Sequence, residues 1–231
     1  MKIDNNLYAK YTDAQIKEAV AYLSYKDAQE LPKFESDVFP TLYVFRHGQT
    51  EDNANFVFSG WHDSPLTDKG REQATTLAEK MKNKKISMLF SSPLIRAVDT
   101  MKIAMSLNDK AKELDITTDK RIMERNYGDY VGKSKLELQL ENPDLAQRVR
   151  RSFDFVPPNG ESLQMVCMRV ADFCETIIPL MNKYHVNVAV SCHGNSIRGF
   201  RRFFEKLTDE ETATIETPLA QDYAAYIINE Y

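Results

Sequence analysis

A chain of 231 residues with 42% hydrophobic and 28% charged content can bury one sizeable core and has the composition of an ordinary globular domain. Its formal net charge of −4, with no polybasic block, excludes a global field that would recruit nucleic acid or a membrane surface. Three cysteines without a Cys-x-x-Cys pair argue against a disulfide framework or a thiolate metal site, and no apolar run reaches membrane-span or signal length, so the cytoplasm is the expected location.

In chain order, residues 1–37 form an expected helical extension. Thr12-Asp13 can cap a helix carrying Ile16, Val20 and Leu23 at helical spacing, which Leu31-Pro32 would stop. The extension reads either as an arm packed on the main domain, the simpler reading, or as a helix for a partner. Residues 38–231 then alternate short apolar runs with longer helical ones. Strands are predicted over 41–46, 86–91, 116–118, 186–192 and 223–228. Helices are predicted over 67–82, 94–107, 135–140, 143–151, 162–184, 196–207 and 209–215. Such alternation implies βαβ units: a three-layer α/β/α domain with a mostly parallel central sheet. Cys167 and Cys174, both inside the 162–184 pattern, are expected in its core.

Two of the predicted strands end in a His-Gly turn, Arg46-His47-Gly48 and His193-Gly194. Ligands bind open α/β sheets at the carboxyl ends of strands. One such histidine would be unremarked structure; two, with Arg46 beside one of them, suit nucleophilic attack by histidine on a phosphate. Other residues are ambiguous by themselves. Glu124 could as well be a solvated partner of Arg121 or Arg125, and Arg148, Arg150 and Arg151 could be a basic helix end favoured by the macrodipole. His62 reads as loop structure, His185 as a dipole-favoured helix end, and Trp61 as packing at a rim. None of the histidines stands at metal-ligand spacing, so no essential metal is predicted.

The ordered segments are Arg46-His-Gly-Gln-Thr-Glu-Asp-Asn53, Ser59-Gly-Trp61, Ser91-Ser-Pro-Leu-Ile-Arg-Ala97, Glu124-Arg-Asn-Tyr-Gly128, Arg150-Arg-Ser-Phe153, Gly160-Glu-Ser-Leu163 and Ser191-Cys-His-Gly-Asn-Ser-Ile-Arg198. From Thr41 to Pro218 this series resembles the histidine phosphatase superfamily, and within it the 2,3-bisphosphoglycerate-dependent phosphoglycerate mutases. The resemblance implies that His47 is a nucleophile that becomes transiently phosphorylated, kept neutral by Arg46 and neighbouring arginines. Arg46 and Arg96 would hold phosphate oxygens by fork-like hydrogen bonds, and His193 would stabilise the group in transfer. Glu124 would be the acid/base, with a pKa expected to rise beside phosphate. Asn53 and Asn195 resemble polar phosphate contacts. Thr50, Ser59 and Gly60 are further candidate contacts, and backbone N–H groups near Gly194-Asn195 should favour the anion. Tyr127, Lys135, Arg150 and Arg151 resemble the substrate clamp.

The activity so implied is interconversion of 3-phosphoglycerate and 2-phosphoglycerate, primed by 2,3-bisphosphoglycerate and without a metal, in glycolysis and gluconeogenesis. The implied partner is a small anionic phosphorylated metabolite, with neither nucleic acid nor membrane, and a homo-oligomer is compatible with the resemblance. Gln49 stands where many mutases carry Glu, the 153–160 connection is short, and few residues follow the predicted last strand. These departures keep open a phosphomonoesterase of small metabolites or bisphosphoglycerate, because water exclusion decides whether a phosphohistidine reacts with an alcohol or with water. A third reading, a non-enzymatic binding protein, is opposed by the intact set His47, Arg46, Arg96, Glu124 and His193.

Overall fold

Thr41–Arg46 (β1) and Val188–Cys192 (β4) are buried along their whole length, as parallel strands covered on both faces must be. In this computed structural model, which describes residues 5–24 and 30–229, they pair in parallel inside a five-stranded sheet of order β3-β2-β4-β1-β5. Met88–Ser91 (β2) lies parallel to β4, and Ile116–Thr118 (β3) parallel to β2. Ala224–Ile227 (β5) runs antiparallel to β1. The architecture is therefore the expected mixed sheet between helical layers.

Asp68–Met81 (α4) and Ile95–Met105 (α5) cover one face, packing Leu77, Met81, Met101 and Met105 against Phe45 and Leu89. Leu163–Tyr184 (α8) and Gly194–Glu205 (α9) cover the other, packing Val170, Phe173, Ile197 and Phe200 against Val44 and Val190. The neighbouring parallel strands β1 and β4 thus send the chain to opposite faces. A crevice opens between their carboxyl ends, the switch point at which open sheets bind ligands. The remaining helices, Glu51–Ala54 (α3), Lys135–Glu141 (α6), Pro143–Arg151 (α7) and Asp209–Thr214 (α10), precede or follow the long ones.

Several boundaries differ from the sequence expectations. α9 starts at Gly194, not at residue 196, which makes His193 its N-cap residue. α3 was not expected; Thr50 and Asn53 form its reciprocal capping box. His185 ends α8 in the left-handed region (φ 52), with its N–H on the Met181 carbonyl. Cys167 and Cys174 are both buried.

The extension is a packed arm. Asn5–Lys10 (α1), also unexpected, is followed by Asp13–Leu23 (α2), whose N-cap Thr12 and Gln15 form a capping box. α2 ends at Leu23, ahead of the expected stop at Leu31-Pro32. Ile16, Ala19 and Leu23 bury with Leu7 against Leu136 of α6, and each large apolar side chain so buried is worth about 1.5–3 kcal/mol. Farther on, the Ala225 N–H donates to the Pro32 carbonyl at 2.8 Å and the Phe34 N–H to the Ala225 carbonyl at 3.0 Å. The chain after α2 thereby covers the otherwise open edge of β5. No described helix is long and apolar enough to cross a membrane.

Candidate active site

Strand register assembles the centre of the site. Arg46 pairs with Cys192, so the next residue on each strand is a histidine, and the rings of His47 and His193 come to lie 5.0 Å apart. The turn after His47 is tight: a Cβ on Gly48 would sit 2.2 Å from the Gly70 carbonyl oxygen at the start of α4. His47 Nδ1 is 2.7 Å from the Gly48 carbonyl. A carbonyl only accepts, so Nδ1 carries the proton and Nε2 keeps its lone pair for chemistry. Burial above all, then the charges of Arg96 and Arg46, holds His47 well below the usual imidazole pKa. Burial first, then Arg96 and His47, does the same to His193. Both rings are neutral, as a nucleophile must be, and desolvation contributes more than the arginines invoked from sequence.

The two arginines are fixed before any ligand arrives. Arg96 is buried on α5 and donates from Nη1 to the His62 carbonyl at 2.9 Å and from Nη2 to the Gly60 carbonyl at 2.8 Å. Gly60 can present that carbonyl because it adopts φ +49, where a Cβ would also meet Val131 at 2.9 Å. Arg46 donates from Nη1 to the Thr217 carbonyl at 3.1 Å.

Glu124 is anchored through one carboxylate oxygen. Its Oε1 accepts from the Arg125 N–H at 2.9 Å, the Asn195 N–H at 3.2 Å and Asn195 Nδ2 at 2.9 Å. Burial would raise its pKa, but the Asn195 and Arg125 hydrogen bonds, with the charges of Arg96 and Arg46, outweigh it and lower the pKa. The first turn of α9, expected to favour a bound anion, spends its Asn195 N–H on this carboxylate. The backbone of Glu124 is pinned as well, its carbonyl accepting from Trp61 Nε1 at 2.8 Å and from Arg169 Nη2 at 3.0 Å. Trp61 therefore does more than pack at the rim.

Arg46, His47, Asn53, Ser59, Gly60, Arg96, Glu124, Tyr127, Lys135, Arg150, Arg151, Gly194 and Asn195 line a single cleft of about 90 Å³. His193 is buried beside His47, with ring nitrogens that have no hydrogen-bond partner among the described residues. Thr50 alone of the expected contacts is elsewhere, its hydroxyl accepting the Asn53 N–H at 3.2 Å. His62 is an exposed rim residue 3.4 Å from Asp52.

Sequence reasoning missed Arg198, Glu216 and Thr217, which complete the lining. Arg198 is fully enclosed, its Nε donating to the Ile215 carbonyl at 3.0 Å; burial first, then Arg151, pushes its pKa down to about 10. An arginine one turn into a buried helix, after a His-Gly pair, is a signal that could have exposed it. Nothing in the sequence marks Glu216, which forms an ion pair with Arg151. Arg125, beside Glu124, turns inward and ties the carbonyls of Val149, Phe155 and Glu161 at 2.9, 2.7 and 2.6 Å. It thereby holds the end of α7 that carries Arg150 and Arg151.

The lining carries six cationic side chains (Arg46, Arg96, Lys135, Arg150, Arg151, Arg198) against the carboxylates Glu124 and Glu216, a local field opposite in sign to the chain's net charge of −4. Ligand atoms of His47, Glu124 and His193 lie within 4.8 Å of one another, a grouping that could hold a metal ion by distance alone. The guanidinium groups against it favour an anion instead.

Residues 42–229 match the model of the histidine phosphatase superfamily (branch 1). The chain is 35% identical over 179 residues to a 2,3-bisphosphoglycerate-dependent phosphoglycerate mutase of Cytophaga hutchinsonii, covering 77% of this chain and 83% of that protein. It is 33% identical to a protein of Gloeobacter violaceus named 2,3-bisphosphoglycerate-dependent phosphoglycerate mutase 2, covering 80% and 86%. Among solved structures, mycobacterial glucosyl-3-phosphoglycerate phosphatase superposes with a TM-score of 0.71 at 23% identity, over 80% of this chain and 92% of that one. Phosphoglycerate mutase from Bacillus anthracis does so with a TM-score of 0.62 at 23% identity, over 81% and 92%. At that identity the two structures speak to the fold.

Proposed function

The chain belongs to the histidine phosphatase superfamily, and from that premise we propose that it is a 2,3-bisphosphoglycerate-dependent phosphoglycerate mutase acting through phospho-His47. The observation that carries this reading is the convergence of Lys135, Arg150 and Arg151 on the same cleft as His47 and Glu124. Arg46, Arg96 and the two histidines suffice for a phosphoryl group. The further cations Lys135, Arg150, Arg151 and Arg198 suit a substrate with a second anionic group, such as a carboxylate. The mutase name borne by relatives at 33–35% identity supports glycerate as the skeleton.

In the proposed reaction the Nε2 lone pair of His47 attacks phosphorus, and an N–P bond forms as the P–O bond to the departing oxygen breaks. Glu124 gives that oxygen a proton. In the second half an acceptor hydroxyl returns a proton to the Glu124 carboxylate while its oxygen attacks phosphorus, and the N–P bond breaks with its electron pair returning to His47 Nε2. Glu124 is held ionised in the free site, but an anionic phosphoryl group against Arg46 and Arg96 offsets the charges that hold it so, and its pKa rises on binding. The equatorial oxygens are met by the pre-fixed Arg46 and Arg96 and by the otherwise unpartnered His193. The same donors fit 2,3-bisphosphoglycerate, which would supply the phosphoryl group that loads His47.

One observation favours the phosphatase alternative: only residues 152–162 link α7 to α8, so the cleft mouth has no long insertion over it. The deciding experiment follows 2-phosphoglycerate and free phosphate together, from 3-phosphoglycerate with catalytic 2,3-bisphosphoglycerate, in EDTA and with His47→Ala as control. Isomerisation that outpaces phosphate release is expected. Phosphate release without isomerisation sinks the mutase reading.

A further inference from the structure

The N-terminal extension touches the substrate clamp. The guanidinium of Arg150 lies over the ring of Tyr22, 5.6 Å from its centroid, within the range of a cation–π contact. Tyr22 stands in the last turn of α2. Unlike Ile16, Ala19 and Leu23 it is not core, being 39% exposed. Its ring meets Arg150 of α7, while the buried residues of α2 pack on Leu136 of α6.

Two further contacts place α2 at the same site. Lys135 is the first residue of α6, directly before Leu136, which α2 buries; its N–H donates to the carbonyl of Phe56, a residue packed on the same cluster, at 2.6 Å. Val20 and Ser24 of the arm line an outer cavity of about 540 Å³ that shares Asn53 and Thr217 with the catalytic cleft. The arm thus lines part of a cavity that adjoins the catalytic cleft.

We propose that Tyr22 is a positioning residue for substrate binding: its ring holds the Arg150 guanidinium in the orientation that meets the anionic group of the substrate that is not being transferred. The inference rests on the reading above only in taking a substrate with such a second anion. Free arginine samples many rotamers, whereas a guanidinium stacked on a ring loses that freedom before the ligand arrives, and the ligand binds correspondingly tighter. A contact of this kind at a half-exposed position corresponds to a few-fold to about tenfold change in affinity.

The test is calorimetric titration of wild type, Tyr22→Leu, Tyr22→Phe and Arg150→Leu with 3-phosphoglycerate and, separately, with inorganic phosphate. Tyr22→Leu keeps apolar bulk on α2 and removes the ring. It is expected to weaken 3-phosphoglycerate about five- to tenfold and to leave inorganic phosphate, which needs only the His47 end of the cleft, unchanged. Tyr22→Phe should restore wild-type affinity, and Tyr22→Leu should add nothing once Arg150 is leucine. Equal weakening of both ligands, no weakening, or a full effect in the Arg150→Leu background overturns the proposal. If 3-phosphoglycerate fails to bind the wild type, the substrate reading falls by itself. Tyr22 is then judged by phenylglyoxal labelling of Arg150, read by mass spectrometry: faster labelling in Tyr22→Leu but not Tyr22→Phe upholds the contact, and equal rates refute it.

Discussion

Asn195→Ala isolates what holds Glu124 ionised. The amide donates to Glu124 Oε1 at 2.9 Å and is one of three N–H donors on that oxygen. A hydrogen bond to a charged group contributes roughly 1.5–3 kcal/mol. At about 1.4 kcal/mol per unit, its loss should raise the Glu124 pKa by about 1–2 units. The sign for stability follows from the depressed folded pKa: the carboxylate stabilises the fold above its ordinary value of 4.5 and loses that contribution as pH falls through the lowered one. The variant should therefore be about 1.5–3 kcal/mol less stable at neutral pH, with the gap closing in acid. Carbon-13 titration of labelled glutamate, with Glu124→Gln to assign the signal, reads the pKa, and urea unfolding across pH reads the gap. An unmoved Glu124 titration, or a gap that persists undiminished into acid, would show that the carboxylate is held by something other than these donors.

Two more perturbations follow from the same geometry. His47 and His193 are buried with pKa values pressed below 6.5, so each takes up a proton first in the unfolded chain. Stability should then fall as pH drops below that value, by up to about 1.4 kcal/mol per pH unit for each ring. Urea unfolding of a His47→Gln, His193→Gln double variant should show a flatter profile, and an unaltered slope would contradict the assignment. Arg125→Met removes charged hydrogen bonds to three carbonyls, one buried and two part-buried, at a cost of roughly 1 kcal/mol each. The melting temperature should fall by about 6 °C or more, and KM should rise as the Arg150-Arg151 end of α7 loosens; a thermal scan matching wild type would refute it.

Local chemistry was legible in the sequence because it is written in neighbouring residues. His47 and His193 stand at strand ends because the apolar runs before them must be buried, and Gly48 leaves room for the close approach of Gly70. The cap at Thr12 was likewise readable, since a side chain and an N–H three residues on decide it. The cleft itself was approached only through the resemblance those ordered motifs carry, which named thirteen of its lining residues as well as His193.

Tertiary structure alone decided what depends on distance between segments remote in sequence. Glu124 has a lowered pKa in the free site because the first turn of α9, 71 positions along the chain, aims Asn195 at it. Arg198 and Glu216 joined the site, and Thr50 left it for a helix cap, through packing that no periodicity encodes. The extension could be read as an amphipathic helix from Ile16, Val20 and Leu23, but not which surface it would cover. That was settled by Leu136 and Arg150, which lie more than a hundred residues downstream and share a boundary with α2 only once the sheet has brought α6 and α7 together. Composition and spacing specify which elements form; the register of β1 against β4, and the helices it draws together, specify what those elements can do.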